Sequence, residues 1–306
     1  MTRWLWTAPS GLVTDLSDWA AGTYVVAGGT AGQLAPSYNF TTQQLAGVDG
    51  VQVQQISVDP GTPQLGIDLV AEDGEELRQR LRALAHTLRP RRGIGRLTAV
   101  ADDGSARHVP CYYRKGLESG TYRVTRYRTV IEFYAPHPWW RGQPLTYGWS
   151  LAAASAFFPI FPMNLSASTI SGEVPFDLSD TDSPTFPTWL VTGPGTQLTL
   201  SNTYDAPQPD GTLAPVTRSL VLNATIGDGQ VVRIVTRPGH QSINLVTLDA
   251  DGAVTSVGAS LFGSLASDPA MFPLVDDVNT VTALLTGAGP ASRIHVAADR
   301  LYSGAL

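Results

Sequence analysis

The residues with the most reactive side chains are scattered along this chain without the spacing that catalysis requires. Its five histidines include no i,i+4 pair and no His-Glu-x-x-His segment, which would hold a zinc ion on one helix face. No Gly-x-Ser-x-Gly segment occurs, so the turn that presents a nucleophilic serine in α/β-hydrolases is not predicted. Gly93-Ile94-Gly95 has no third glycine and follows a helix rather than a strand, so it does not match the dinucleotide-binding pattern. We therefore predict that the protein is not an enzyme and has no catalytic or cofactor-binding residues.

Metal-binding patterns are equally weak. Asp276-Asp277 offers two carboxylates, but a solvated turn before the strand that begins at Val278 explains the pair better. The acidic turn at 249–252 lacks the later glutamate of an EF-hand loop. Cys111 is the only cysteine in the chain, which excludes an internal disulfide and a thiolate metal site. We predict no metal ligands.

Two features favour contacts with other molecules. Neighbouring tryptophans in an extended chain point to opposite sides, so at most one of a pair fills a given core. The other can anchor a protein interface, where Trp is enriched, or stack on a sugar. A run of arginines on and after a predicted helix forms either a solvated face, a subunit contact or a charged lumen. The candidate interface residues are Arg78, Arg82, Arg91, Arg92, Trp139 and Trp140.

Composition and charge narrow the classes of protein that this chain can be. With 306 residues it is long enough for two domains with substantial cores. Only 15% of its residues are charged, against about 25% in an average soluble domain. Burial against other subunits and a plain β-rich fold explain this equally well. Residues 1–150 carry 15 basic and 13 acidic side chains, a net charge of +2, whereas residues 151–306 carry 5 and 13, a net charge of −8. The acidic second half disfavours nucleic acid, and we predict no specific nucleic-acid binding.

No segment predicts export or membrane insertion. The N-terminal residues lack the apolar core of a signal peptide. The longest uncharged run, Gly142–Gly172, is interrupted by Pro144, Pro159 and Pro162, so it does not predict a membrane span. We therefore expect assembly in a cytoplasm.

One amphipathic helix is predicted, from Asp73 to Arg89. Asp73 can cap its first turn, Glu76 completes a capping-box pattern, and Pro90 stops it. Its apolar residues recur at helical spacing and form one stripe: Leu77, Leu81, Leu84, Ala85 and Leu88. A single helix of this kind among strands must cover one face of a sheet.

Strand patterns fill the rest of the chain. Those before residue 145 are Trp4–Trp6, Thr23–Ala27, Val51–Val58, Gln64–Ala71, Gly95–Ala101, Ala106–Tyr113 and Tyr122–Tyr134. The polar segment Gly32–Ala46 has no period and predicts a long loop that binds a ligand or is ordered by a neighbour. From Ser166 onward, short strands between Gly, Asp and Pro turns are typical of a β-sandwich. We predict an N-terminal domain at 1–145, a connector at 146–165 and a C-terminal domain at 166–306.

Sequence landmarks along the first half occur in a recognisable order. The helix ends at Leu88-Arg89-Pro90, before a Gly-x-Gly-x-Leu segment at 93–97. A Tyr-x-x-Gly-Leu-Glu segment at Tyr113–Glu118 follows, and a Phe-x-Ala-x-x-Pro-x-Trp strand end at Phe133–Trp140. This order, over about residues 45–141, resembles the distal tail protein family of long-tailed siphophages. The second half looks like the β-sandwich appended in that family, often galectin-like, although Val275–Asn279 departs from the family's Pro-Gly-x-Asn loop.

The resemblance implies a mainly β fold. An N-terminal β-sandwich-like belt domain would carry the one α-helix, and a galectin-like β-sandwich would follow. It also implies a structural virion protein of a bacteriophage, assembled as a hexameric ring at the distal tail. That ring would join the tail tube protein to the tail-tip hub, and the C-terminal domains would project towards receptor-binding proteins or host glycans. The alternative is a carbohydrate-binding protein that recognises host cell-wall glycans through the C-terminal sandwich.

Overall fold

The computed structural model describes residues 2–44, 49–118, 120–151, 168–208, 211–267 and 270–305. The chain divides into two compact units, Met1–Gln143 with Leu301–Leu306, and Pro144–Arg300. This division differs from the expected boundaries at both ends of the second unit. The strand Leu145–Ser150 pairs within the second unit, and the last residues of the chain return to the first. Residues 152–165 of the predicted connector at 146–165 lie outside the described residues.

The elements of the described residues are antiparallel strands and one α-helix. Up to residue 143 they are β1 (Arg3–Thr7), β2 (Val13–Asp15), β3 (Thr23–Ala31), β4 (Tyr38–Gln43), β5 (Gln52–Val58), β6 (Gln64–Val70), α1 (Gly74–Thr87), β7 (Gly95–Val100), β8 (Ala106–Lys115), β9 (Thr121–Arg123), β10 (Arg126–Tyr134) and β11 (Trp140–Arg141). Then follow β12 (Leu145–Ser150), β13 (Thr169–Asp177), β14 (Thr188–Thr192), β15 (Gln197–Pro207), β16 (Leu213–Leu222), β17 (Val231–Val235), β18 (Ser242–Leu248), β19 (Val254–Ser260), β20 (Val278–Thr286), β21 (Arg293–Ala298) and β22 (Leu301–Tyr302). The predicted mainly β fold with one helix is confirmed.

The first unit is built on a sheet with the strand order β2-β1-β7-β8-β10-β6-β3. Strands β9, β11 and β22 pair beside this path. Arg107 of β8 fixes the returning end of the chain. Its guanidinium lies 3.7 Å from the centre of the Tyr302 ring and donates to the Gly304 carbonyl at 3.1 Å. The final residues therefore belong to the first unit.

Helix α1 begins at the cap that the sequence predicts. The Asp73 carboxylate accepts the backbone N–H groups of Glu75 and Glu76 at 2.9 and 2.8 Å. The Glu76 carboxylate reaches back to the N–H of Glu72 at 2.8 Å, one residue before the position that a standard capping box uses. These bonds satisfy donors that have no partner inside the helix.

The apolar stripe of α1 faces the core of the first unit. Its leucines are buried at Leu77, Leu84 and Leu88 and partly buried at Leu81. Ala85 is exposed, so its predicted place on the buried stripe was wrong. The buried side of the helix is formed by these leucines together with Thr87.

Strands β4 and β5 form a separate two-stranded sheet, which we call the arm. The prediction of a long loop over Gly32–Ala46 was wrong at Tyr38–Gln43, which forms β4. Residues 45 and 46 of that segment lie outside the described residues. Only Tyr38 and Phe40 alternate with polar residues there, and so short an alternation does not predict a strand.

The second unit is a β-sandwich, as predicted. One sheet has the order β12-β21-β14-β17-β18-β19, and the other has the order β13-β20-β15-β16. Alternate residues of the strands meet in one core, as in β20 at Val281, Ala283 and Leu285. Asn279 of the same strand is also buried, and its amide donates to the carbonyls of Val275 and Asp277, both at 2.8 Å. It thereby holds the loop that enters the strand.

Replacing Asp73 by Ala should loosen α1 without unfolding the sandwich of the second unit. The variant loses both hydrogen bonds that the Asp73 carboxylate accepts, which lowers the stability of the helix by about 1 kcal/mol. The equilibrium constant for local opening of the helix then rises roughly fivefold. Amide hydrogen exchange of the full chain should quicken by that factor in α1 alone. Asp73→Ser is the matched control, because serine keeps a capping oxygen. Unchanged exchange in the Ala variant would contradict the assigned role of the cap.

Candidate subunit interface

The four predicted interface arginines lie on the exposed side of α1 and of the turn that follows it: Arg78, Arg82, Arg91 and Arg92. Arg78 pairs with Glu75 at 2.7 Å, and both side chains are about half exposed. The guanidinium of Arg92 lies 3.0 Å from Nε2 of His86. Contacts this exposed contribute little to stability, so a partner could exchange them at small cost. An interface role for these arginines stays a prediction.

The adjacent tryptophans divide between the core and a partly exposed position. Trp140 is 2% exposed, and its ring meets that of Trp4 edge-on with centroids 6.0 Å apart. The structure therefore places Trp140 in the core of the first unit and not at a surface that a partner can reach. Trp139 is partly exposed, because neighbouring side chains of an extended segment point to opposite sides. Of the two, Trp139 alone stays a candidate.

The arm, of which the sequence predicted only the second strand at Val51–Val58, exposes an apolar face. Cross-strand register pairs Tyr38 with Val58 and Phe40 with Ile56 on that face. The register then shifts between Thr41 and Thr42, and Val53 lies opposite Thr42. The exposed fractions are 51% for Tyr38, 54% for Phe40, 49% for Val53 and 59% for Ile56. The opposite face is polar and includes Asn39, Thr41, Gln55 and Ser57. Neither strand contains a charged residue.

The base of the arm is fixed to the first unit although its strands are uncovered. The N–H of Asp59 donates to the Ser37 carbonyl at 2.9 Å and so closes the pair of arm strands at its base. The side-chain amide of Gln33 donates to the carbonyl of Gln64 in β6 at 3.1 Å. Gly32 has φ +71°, and a Cβ there would lie 2.7 Å from the carbonyl oxygen of Thr62. Only glycine fits this close approach without strain. An isolated two-stranded sheet is at best marginally stable in water, so the arm requires a further surface to cover its apolar face.

A second charged feature lies on the sheet face that points away from the core. Two buried carboxylates each hold two cations there: Asp68 with Arg126 and Arg128, and Glu132 with Arg114 and Lys115. The carboxylate side chains are 3% and 8% exposed, whereas those of the four cations are 47–60% exposed. We call these six residues the cationic face, because four positive charges surround two negative ones. The hydrogen bond from Arg126, assisted by that from Arg128, holds the pKa of the Asp68 carboxyl below its ordinary value against the opposing effect of burial.

The residues considered for chemistry do not converge. Within the described ranges, no three His, Cys, Asp or Glu side chains lie close enough together to hold a metal ion. Burial raises the pKa of the Cys111 thiol to about 12, which keeps it protonated at neutral pH. The carboxylate of Asp277 accepts the N–H of Val278 at 2.7 Å, as in the turn predicted there. The described part of the chain contains no helix of the length and apolar character that a membrane crossing needs.

Comparison with known proteins defines the class of fold. No protein-family model matches the chain, and a search of curated proteins found no match. Solved structures do match, and they are components of phage tail adsorption machinery. The chain therefore has a fold like that of phage distal tail proteins.

Two of these structures cover almost the whole chain. One is Dit (gp 19.1) of phage SPP1, described as a paradigm of the hub adsorption apparatus in phages that infect Gram-positive bacteria. It is 15% identical over 97% of this chain and 98% of its own length, with a TM-score of 0.61. The other belongs to the phage P2 baseplate in its activated conformation with Ca, and is 9% identical over 98% of both chains, with a TM-score of 0.50. The match to Dit confirms the resemblance in fold that the sequence landmarks indicated.

Acid should destabilise the first unit through Asp68. Because the folded pKa lies below the unfolded value of about 3.9, the carboxylate stabilises the fold fully above that value. This contribution is lost as the pH falls through the folded pKa. Urea unfolding measured between about pH 2 and pH 7 should show this loss of stability. Asp68→Asn should lower the free energy of unfolding at pH 7 and make it depend less on pH. Asp49→Asn, at an exposed position, is the control, and equal acid sensitivity of both variants would contradict this role.

Proposed function

We propose that the protein is a structural component of a phage tail, in which copies of the chain form a ring at the distal end. Likeness in fold to SPP1 Dit over 97% of the chain supports a tail role. Fold alone does not define function, because one fold can serve many functions. The arm supplies an independent reason to expect self-association, and it is the observation on which the proposal rests.

The apolar face of the arm needs a protein surface as cover. Burial of its four half-exposed apolar side chains is favourable by about 1 kcal/mol or more for each. The arm carries no charge that would have to be stripped of water in the process. A copy of the same chain is a partner that is present wherever the protein is made. Six such contacts around a ring would give every arm a cover.

The finer features of the proposal follow the family resemblance. The ring is hexameric and joins the tail tube protein to the tail-tip hub. The second unit contacts receptor-binding proteins or host glycans, and the protein belongs to the virion after assembly in the host cytoplasm. Its role is mechanical attachment rather than catalysis. The likeness to hub proteins supports this interpretation over a free-standing carbohydrate-binding protein.

Polar substitution in the arm should abolish the ring. In Phe40→Ser with Ile56→Ser, each contact between copies loses two apolar side chains, which weakens association by roughly tenfold for each side chain. Both positions are exposed, so the fold of the first unit should be unchanged. Mass photometry should show ring-sized particles for the unmodified chain and monomers for the variant.

The matched control is Leu213→Ser, which removes an equally exposed apolar side chain from the second unit. It should leave the particle mass unchanged. A monomeric unmodified chain at high protein concentration would refute the ring. A dimer in place of larger particles would also refute the ring and limit self-association to two copies. Rings that persist in the arm variant would show that the arm does not join the copies.

A further inference from the structure

An open groove lies in the first unit between α1 and the edge strand β2. It has a volume of about 430 Å³, and its apolar lining residues include Leu12, Leu16, Leu69, Ala83 and Leu84. At its mouth Leu12 is 56% exposed, and the neighbouring Val13 is 55% exposed. Strand β2 pairs only with β1 among the described strands, so its outer edge is uncovered there. This groove is therefore a second apolar surface of the unit, separate from the arm.

The charges around the groove are held within the chain. Asp15 pairs with Arg3 at 2.6 Å, and Asp18 accepts the N–H of Ala21 at 3.0 Å. Arg80 donates to Glu76 at 3.1 Å and also binds backbone carbonyls. Two of the three charged side chains on the groove are therefore ion-paired, and the partly exposed Asp18 carboxylate is held by a backbone N–H alone. An uncharged partner over the apolar lining thus meets one negative charge without an opposite charge beside it.

The cationic face is a poorer acceptor for the arm. Its four cations outnumber its two carboxylates, so an uncharged partner would remove water from surplus positive charge without replacing it. The arm contains no carboxylate to neutralise that charge. Charge complementarity thus favours the groove over the cationic face.

The groove is not filled by the arm of its own chain. The arm is anchored beside Gln64, at the start of β6, whereas Leu69 near the end of β6 lines the groove. Five residues of extended strand separate these ends by about 17 Å. The apolar side chains of the arm and those at the mouth of the groove are all exposed in the same structure. Each chain therefore offers one uncovered arm and one uncovered groove.

We propose that the arm of one copy docks in the groove between α1 and β2 of the next copy. This inference rests on the proposed self-association and names the two surfaces that meet. The apolar face with Phe40 and Ile56 covers Leu12, and the uncharged strand edge of the arm lies along β2. The contact joins two different surfaces of the same chain, so each copy binds one neighbour with its arm and another with its groove.

Photo-crosslinking from the arm tests the docking site directly. Phe40 of the full chain is replaced by the photoreactive aromatic p-benzoylphenylalanine, and ¹⁵N-labelled copies are mixed with unlabelled ones before assembly. After illumination, mass spectrometry maps the peptides joined to position 40. We expect adducts with residues 12–23 or 80–87, in pairs of one labelled and one unlabelled copy. The same residue placed at Tyr147 in the second unit is the control and should give no adducts with these segments.

The outcomes separate this inference from the proposed ring. Ring-sized particles whose adducts map elsewhere, or that give no adducts, would overturn the groove as the docking site and leave self-association standing. Monomeric particles of the unmodified chain would overturn the proposed function itself. Leu12→Ser provides a second readout, because loss of this exposed side chain should weaken association about tenfold without disturbing the core.

Discussion

The indole of Trp6 joins the helix to the sheet of the first unit. It is 2% exposed, packs on Phe133 with ring centroids 5.2 Å apart, and donates its N–H to the carbonyl of Thr87 at 3.1 Å. This bond satisfies a carbonyl of the last helical turn, which has no partner within the helix. Gly95 makes the contact possible, because a Cβ there would lie 2.4 Å from the indole ring. The second glycine of the Gly-x-Gly segment after α1 is thus explained by packing against Trp6.

Features that depend on local periodicity could be predicted, and features that depend on neighbours in space could not. The signals that specify α1, its leucine stripe and its Asp73 cap, lie within one short stretch of sequence. The sandwich strands are likewise specified by local alternation of apolar and polar residues. In the arm only the second strand has such a signal, in the near-alternation of Val51–Val58. Tyr38 and Phe40 of the first strand alternate over too few residues to predict a strand. Trp140 and Trp139 were equivalent candidates until the position of Trp4 showed which of them is enclosed. The pairing of Asp68 with Arg126 joins two strands 58 residues apart, a distance that no local pattern reports.

Charged groups and apolar surfaces are separated in the first unit. In the first unit, acidic groups serve as internal anchors: Asp68 and Glu132 hold cations, and Asp73 caps the helix. The arm and the lining of the groove, by contrast, are almost free of unpaired charge. A plain β-rich fold would not require this separation. The self-association proposed above would require it, because an unpaired charge placed between two protein surfaces loses its hydration and gains nothing in return.

An arm and a groove on one chain also limit the assemblies that are open to it. In a two-fold dimer, arm against arm would leave both grooves uncovered, whereas a reciprocal contact of each arm with the other copy's groove would cover both surfaces with two copies. A head-to-tail contact covers both surfaces of every copy inside the assembly. Such an assembly closes into a ring only if a whole number of the rotations that relate one copy to the next makes up 360°. A head-to-tail assembly that did not close into a ring would leave the arm of its last copy uncovered. The uncharged strand edge of that arm would then be exposed to pairing with any other chain. Because β4 and β5 contain no charge or proline to block such pairing, closure of the ring is what would protect the protein from unlimited association.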